Sequence, residues 1–397
     1  MKVNHEKIVI IVFLSFVVVK AFAGPIGIVF QPLNYVPTLL MFPLLLMRWA
    51  KDFITKVSSI VIISLIGVYF LIGIGNSSIA QASFGLYVLI PFLYCLAYSH
   101  TLQKYIFSDN QKYYYFFLLT CCAGIYYVSE FGAPWLGGIV NIGGVDKVIS
   151  RDWTTSGTLR NPGFTAASFD AATLLMICSL LIISKLASEK KYFKAIFIFA
   201  IALHCIYLTT TKTTVITLIL VLLMMLLPLF ISRNIIKATV ISSVVFTYIY
   251  MIPHLKYDSY DPKNTLLMRM YDTWPKAILI LDDTLSLWIG KGFGAIGTPA
   301  LYFSPKTYSP ADNILVYMYV IGGFISLTLT AIFLFKFTFS KFYESKFEKK
   351  YYLISFCVLI GGVTYNLFES VFYSISLGLI VGCLFDKENC STFVRKN

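Results

Sequence analysis

Long apolar runs separated by short polar gaps dominate the chain from its first residues to its last. Stretches of roughly 17–25 apolar residues match the helix length that crosses a hydrocarbon core. They occur near 8–23, 33–48, 57–75, 83–99, 113–129 and 165–184 in the first half. In the second half they occur near 193–209, 213–231, 238–252, 311–335, 351–367 and 370–385. The pattern predicts about twelve transmembrane helices. Most gaps are short connectors, but 130–164 and 253–310 are long enough to carry function.

Inside the longer gap, "LLMRMYDTWPKAILILDDTLSLWIGKG" reads as one or two amphipathic helices lying on the membrane surface, broken near Pro275. Arg269, Asp272, Asp282 and Asp283 are too many charges for a crossing segment of that length. The expected architecture is a single polytopic domain, 1–397, an all-α integral membrane bundle with a helical cap on one face. No internal repeat is apparent.

Composition agrees with this pattern. The chain is 58% hydrophobic and 13% charged, with 34 Phe and 27 Tyr, whereas soluble domains carry about 25% charged residues. The net charge of +13 would suit a nucleic-acid partner, but the Lys and Arg cluster in the gaps. Assigning gaps alternately to two sides puts 21 of them on one side and 10 on the other. The richer side holds both termini, which the positive-inside rule makes cytoplasmic. That leaves no nucleic-acid reading and places 130–164 and 253–310 outside. Lys20 falls inside the first span, and "MKVNHEK" followed by a long apolar stretch reads as a retained first helix rather than a cleaved signal.

Seven of the eight Cys lie in spans and Cys390 in the tail; no C-x-x-C pair occurs. Neither a disulfide framework nor a zinc site is expected. "GKGFGAIG", 290–297, fits the dinucleotide fingerprint through Gly292, Gly294 and Gly297. That fingerprint needs a strand before it and a helix after it. Here it follows a surface-helix pattern on the outer side, so the glycines are read as a tight turn and no nucleotide cofactor is expected. Lys291 could still give the turn an anion contact.

Polar residues gather at four other outer places. "TLRNPGFTAASFD" offers Arg160, Asn161 and, inside the next span, Asp170, which needs a partner or a wet cavity; an Arg160–Asp170 pair would satisfy it. "TTTKTT" offers Lys212, read equally as a snorkelling lysine. "RMYDTW" offers Arg269, facing Asp272 or anchoring at the interface beside Trp274. "YSPADN" offers Asp312 and Asn313, with Asp312 a good helix N-cap as well. Glu369 in "NLFES" sits in a minimal turn. Basic groups and carboxylates converging on one face suit an anionic lipid-linked substrate, with Arg giving bidentate contacts to phosphate.

In this order and spacing the motifs resemble the Wzy-type O-antigen polymerases and the related O-antigen ligases. The likeness covers roughly 150–385: "TLRNPGF…FDAATLL", "LTTTKTTVITLIL", "RMYDTW", "LWIGKGFGAIG", "SPADNILVYMYVIGGF" and "NLFES". It implies a GT-C-like fold in a bacterial cytoplasmic membrane and a glycosyl transfer. A growing glycan would pass from undecaprenyl diphosphate to a lipid-linked repeat unit at the outer face. It implies that Arg160, Lys212 and Arg269 hold the diphosphate, and it admits a chain-length regulator as a partner. Ligases of this kind usually carry His where Asp312 stands, which favours the polymerase. Asp312 is the candidate base, with Glu369 behind it; no metal or other cofactor is implied. The alternatives are an O-antigen-type ligase and a lipid-linked oligosaccharide flippase or other transporter.

Overall fold

Each of the apolar runs overlaps a helix in the computed structural model, which describes residues 5–53, 57–106, 112–142, 145–155, 157–251, 265–310, 312–339 and 349–385. The first part of the 253–310 loop, His254, Cys390 and the basic C-terminal tail lie outside the described residues. Helix α1 (His5–Ala21) turns through 88° into α2 (Ala23–Phe30) and a 3-10 turn, Gln31–Asn34. Then come α3 (Val36–Phe53), α4 (Val57–Asn76), α5 (Ile79–Ala97), α6 (Ser99–Ile106) and α7 (Lys112–Phe131).

The 130–164 loop forms two small antiparallel hairpins, which the periodicity did not predict. One is β1 (Ile139–Ile142) with β2 (Val145–Val148); the other is β3 (Thr154–Thr155) with β4 (Thr158–Leu159). Helices α8 (Ser168–Ser188), α9 (Tyr192–Leu208), α10 (Lys212–Leu226) and α11 (Leu229–Met251) follow. After them come α12 (Thr265–Met268), a π turn Arg269–Thr273, α13 (Trp274–Ile278), α14 (Thr284–Ile289) and α15 (Thr298–Phe303). The chain closes with α16 (Ile314–Phe339), α17 (Lys349–Thr364) and α18 (Val371–Phe385).

Four helices are long and apolar enough to cross a membrane, Ser59–Asn76, Ile79–Ala97, Ser168–Ser188 and Ile314–Phe335, or five if the bent first pair counts as one. They differ in surroundings. The α8 window is 72% buried, whereas the α4 window, equally apolar, is 6% buried. Exposed apolar surface on that scale marks contact with another apolar phase. Around α8 pack α7, α9, α10, α17 and α18, while α5 bridges α3, α4, α15 and α18. The buried Cys95, Cys121, Cys122, Cys178, Cys205 and Cys357 are free thiols in this packing.

Two boundaries differ from the sequence expectation. The run 213–231 is two helices, because Pro228 forces Leu227 into extended backbone (ψ 152°). The polar gap expected at Arg233 and Lys237 is therefore part of α11. Near Pro275 the cap helix does not break. Proline cannot donate to the preceding turn, and the strand of helix absorbs this by widening into the π turn Arg269–Thr273, closed by Trp274 N–H donating to Arg269 O.

The glycine-rich stretch 290–297 is a loop driven into the bundle. Helix α16 is interrupted at Gly323, with φ 60° and ψ −160°, which frees carbonyls of the turn before it. Lys291 N–H donates to Val320 O and Gly292 N–H to Ile321 O, both at 2.9 Å. On its other side Phe293 N–H donates to Tyr69 O (3.1 Å), and Gln81 Nε2 donates to Gly294 O (2.9 Å). A Cβ at Gly292 would strike the backbone of Gly73, at a φ of +78° that already favours glycine. Close backbone packing, rather than phosphate, accounts for these glycines.

Candidate functional site

Arg160 follows β4, its backbone N–H donating to Trp153 O (2.7 Å). Its guanidinium lies over the Trp153 ring at 5.6 Å, and Arg151 lies over the same ring at 4.7 Å. The buried Nε of Arg160 has no hydrogen-bond partner among the described residues. Burial holds Arg160 below the ordinary guanidinium value; Arg269 and Arg151 push the same way, against Tyr365 and Asp312. No Arg160–Asp170 pair forms.

The π turn carries Arg269 to Asp312. Arg269 Nε donates to Asp312 Oδ2 at 3.1 Å, with 18% of the Arg269 side chain and 36% of the Asp312 side chain exposed. Asp272 is taken by Lys276 instead (2.6 Å), and Trp274 is fully buried rather than anchored at a surface. Asp312 is not the cap of α16. Asn313 is: its Oδ1 accepts from Leu315 N–H (2.8 Å) and Val316 N–H (3.4 Å), and its Nδ2 donates to Val363 O (3.3 Å). Asp312 is thereby released from capping.

Asn161 is likewise spent on structure. Its Nδ2 donates to Ile125 O and Ser129 Oγ, and its Oδ1 accepts from Gly163 N–H, all at 2.8 Å. This turn fixes the Arg160 segment to α7. Lys212 is the first residue of α10, exposed and without an ion pair among the described residues. The next residues of that turn, Thr213 and Thr214, reach Tyr365, which also feels Arg160 and Arg269. Lys291 is paired within the cap: its Nζ is held by Asp282 (2.5 Å) and Asp283 (3.1 Å). Asp283 caps α14 and is pulled down to about 2, first by Ser286 N–H and then by Lys291.

Beside this group lies a cavity of about 180 Å³. Lys20 of α1, Lys147 of β2, Arg151, Asp170 and Glu369 line it, with aromatic walls from Phe84, Tyr87, Phe169 and Tyr302. Arg160, Arg269, Asp312 and Lys212 do not. Glu369 Oε1 accepts from Thr298 N–H (2.6 Å) and Oε2 from Thr298 Oγ1 (2.7 Å), so both oxygens brace α15. Burial raises the Glu369 carboxyl above its ordinary value; the Thr298 bonds and Arg151 oppose this, and Asp312 adds to it. Asp170 is buried at the start of α8 and accepts from Ser370 Oγ (3.5 Å).

Comparison of the chain with family models, with curated proteins and with solved structures gives no match in any of the three. What the molecule does is therefore argued from this geometry. Among the described residues, no three His, Cys, Asp or Glu side chains come together in a metal-binding group.

Lys20, Lys147 and Arg151 were not singled out in the sequence. One signal was available for Lys20, a charge inside an apolar run, which needs a partner or a cavity. Lys147 and Arg151 carried none, since the hairpin that presents Lys147 has no strong alternation.

Proposed function

We propose that the protein is a membrane glycosyltransferase of the polymerase type, moving a glycan from undecaprenyl diphosphate onto a lipid-linked repeat unit. The observation that carries the reading is the half-buried Arg160 side chain, whose buried Nε has no partner among the described residues, beside the Arg269–Asp312 couple. An unpartnered buried donor is costly, and an anionic diphosphate oxygen is a fitting acceptor for it. The two arginines, with Lys212 added by the resemblance, would supply the charge that a departing diphosphate needs.

In the step itself, the bond from the sugar anomeric carbon to the diphosphate oxygen breaks. A bond from that carbon to the acceptor hydroxyl oxygen forms, and the hydroxyl proton passes to the Asp312 carboxylate. Arg269 orients that carboxylate through Oδ2. Asn161 and Asn313 shape the site without touching substrate, and Lys291 has no part in it. Glu369 and Asp170 belong to the adjoining cavity, on the acceptor's side.

The reading takes the apolar helices as twelve spans, several short or bent, in a GT-C-like bundle with both termini cytoplasmic. Reporter fusions at Ser188 and Thr307 should then report the cytoplasmic and the outer side respectively; the same side for both would sink the topology. A transporter reading would look to the break in α16, since interrupted helices line transport sites. The carbonyls freed there already accept from the backbone N–H groups of Lys291 and Gly292, so the break is filled by the chain itself.

The test is reconstitution in liposomes with undecaprenyl-diphosphate glycans extracted from the cells that make this chain. Polymer and free undecaprenyl diphosphate should accumulate together. Transfer only onto a different acceptor, such as lipid A core, would identify a ligase. Movement of the glycan lipid across the bilayer with no diphosphate released would defeat the enzyme reading.

A further inference from the structure

The cavity beside the arginine group holds three cations, and none of the three forms an ion pair among the described residues. Lys20 Nζ donates to a backbone carbonyl, Asn34 O, at 2.8 Å. Lys147 Nζ sits 4.3 Å over the Tyr35 ring, and Arg151 stacks on Trp153. Burial, reinforced by Lys20 and Arg151, lowers Lys147 to about 7. The two carboxylates that share the cavity act on these charges only from a distance, Asp170 on Lys20 and Arg151 and Glu369 on Arg151, without closing an ion pair among the described residues. Both Glu369 oxygens turn to Thr298, and Asp170 is engaged by Ser370.

Three converging cations against two carboxylates leave an excess of positive charge that an incoming anion stabilises. The walls narrow the choice. Phe84, Tyr87, Phe169 and Tyr302 present flat apolar faces, while Gln31, Asn34 and Thr38 line the cavity with hydrogen-bonding groups. Aromatic faces with a few placed polar groups suit a polyhydroxylated ring, whose C–H face packs on an arene while its hydroxyls find partners. A volume of about 180 Å³ has room for such a ring.

We propose that this cavity binds an acidic sugar of the glycan, its anionic group seated among Lys20, Lys147 and Arg151 and its ring against the aromatic walls. The protein would therefore act on a repeat unit that carries a carboxylate or phosphate, and would discriminate against a neutral one. The sugar part of this inference rests on the glycan-transfer reading; the anion part stands on the cavity alone. The anion could instead be the lipid's own diphosphate, and the test separates the two sources.

The full-length protein in nanodiscs is titrated with three soluble probes: a glucuronate-containing disaccharide, its neutral glucose counterpart and inorganic pyrophosphate. Binding is followed by calorimetry and by thermal shift, so neither lipid donor nor catalysis enters. The acidic disaccharide should bind at least ten times more tightly than the neutral one. Lys147→Met should remove that preference, and Lys20→Met, which replaces a buried charge by a side chain of similar length, should do the same. In the wild type, saturating pyrophosphate should leave acidic-disaccharide binding intact. Equal affinity for the two disaccharides would overturn the proposal. So would a preference that survives both substitutions. Mutual exclusion of pyrophosphate and acidic disaccharide, with pyrophosphate binding lost in Lys147→Met, would make the cavity a diphosphate seat and overturn it too. Because the assay needs no transfer, its failure leaves the polymerase reading to stand or fall on the liposome experiment.

Discussion

Arg160 and Lys147 belong to the same loop and face the same interior, yet their surroundings are built differently. Arg160 stands beside an Arg–carboxylate couple, with Asp312 at 3.1 Å from Arg269. Lys147, Lys20 and Arg151 have aromatic rings and carbonyls around them, and the carboxylates of their cavity act on them only from a distance. The first group contains a proton acceptor held by a cation, as a reacting centre needs. The second contains charge without chemistry, as a recognition pocket needs. Arg151 touches both, since it acts on Arg160 as well as on Lys147 and Glu369.

The sharpest way to break that contrast is at Asp312. With Asn313 doing the capping, Asp312→Asn keeps size and polarity and removes only proton acceptance. Polymer formation should fall by about 10²–10⁴-fold, the range of general-base contributions, at normal abundance in the membrane. Normal polymer from this variant would move Asp312 from chemistry to mere pairing with Arg269.

Next come the arginines. Arg269→Ala and Arg160→Ala should each lower transfer by about 10²–10³-fold, as loss of one donor to a developing anion does, whatever sugar the donor carries. Lys147→Met should instead lower transfer about tenfold, the worth of about 1.4 kcal/mol, and only with acidic repeat units. Rate measurements on acidic and neutral substrates would show whether the two groups are as separate as their geometry. Identical patterns for Arg160→Ala and Lys147→Met would merge them.

The third effect is on stability. Because Lys147 sits near 7 in the fold and a lysine ordinarily titrates at about 10.4, the unfolded chain holds the extra proton between those values. Stability from this group is therefore absent below pH 7 and rises with pH through that window, by up to about 1.4 kcal/mol per pH unit. Thermal melts between pH 6.5 and 9.5 should show the rise, and Lys147→Met should lose that portion of it. An unchanged slope would mean that Lys147 is solvated. The smallest effect belongs to Asn313→Ala, which should cost about 1 kcal/mol of stability as a lost N-cap, read from chemical denaturation of the protein in detergent.

The arginine group was legible because its members sit in short polar motifs between apolar runs, where a charge stands out. Arg269 was found that way, although it was expected to face either the membrane interface or Asp272, which lies four residues before the Lys276 that claims it. Partner choice depends on which helices meet, and periodicity along one helix does not say that. The lysine cavity was not legible. Its walls come from α1, the β1–β2 hairpin, α8 and α15, distant in sequence, and Gly24-Pro25 beside the bend after Ala21 marks a break without saying what the bend brings together. The twelve runs were readable as helices for the opposite reason, since burial in an apolar phase leaves its mark residue by residue. Where they ended was less clear, and Pro228 decided a boundary that hydrophobicity had passed over.

The break in α16 has a consequence for the order in which the protein is made. The carbonyls of Val320 and Ile321 find their partners in the backbone of Lys291 and Gly292, and lipid offers no substitute for such bonds. The chain is synthesised from its N-terminus, so the loop that supplies those partners emerges before the helix that requires them. A biosynthetic sequence that delivers the clasp before the gap spares α16 from entering the bilayer with bare carbonyls. A circular permutant opened between the two segments, in which α16 is made first, would have to insert that helix unclasped, and its yield would register what the natural order secures.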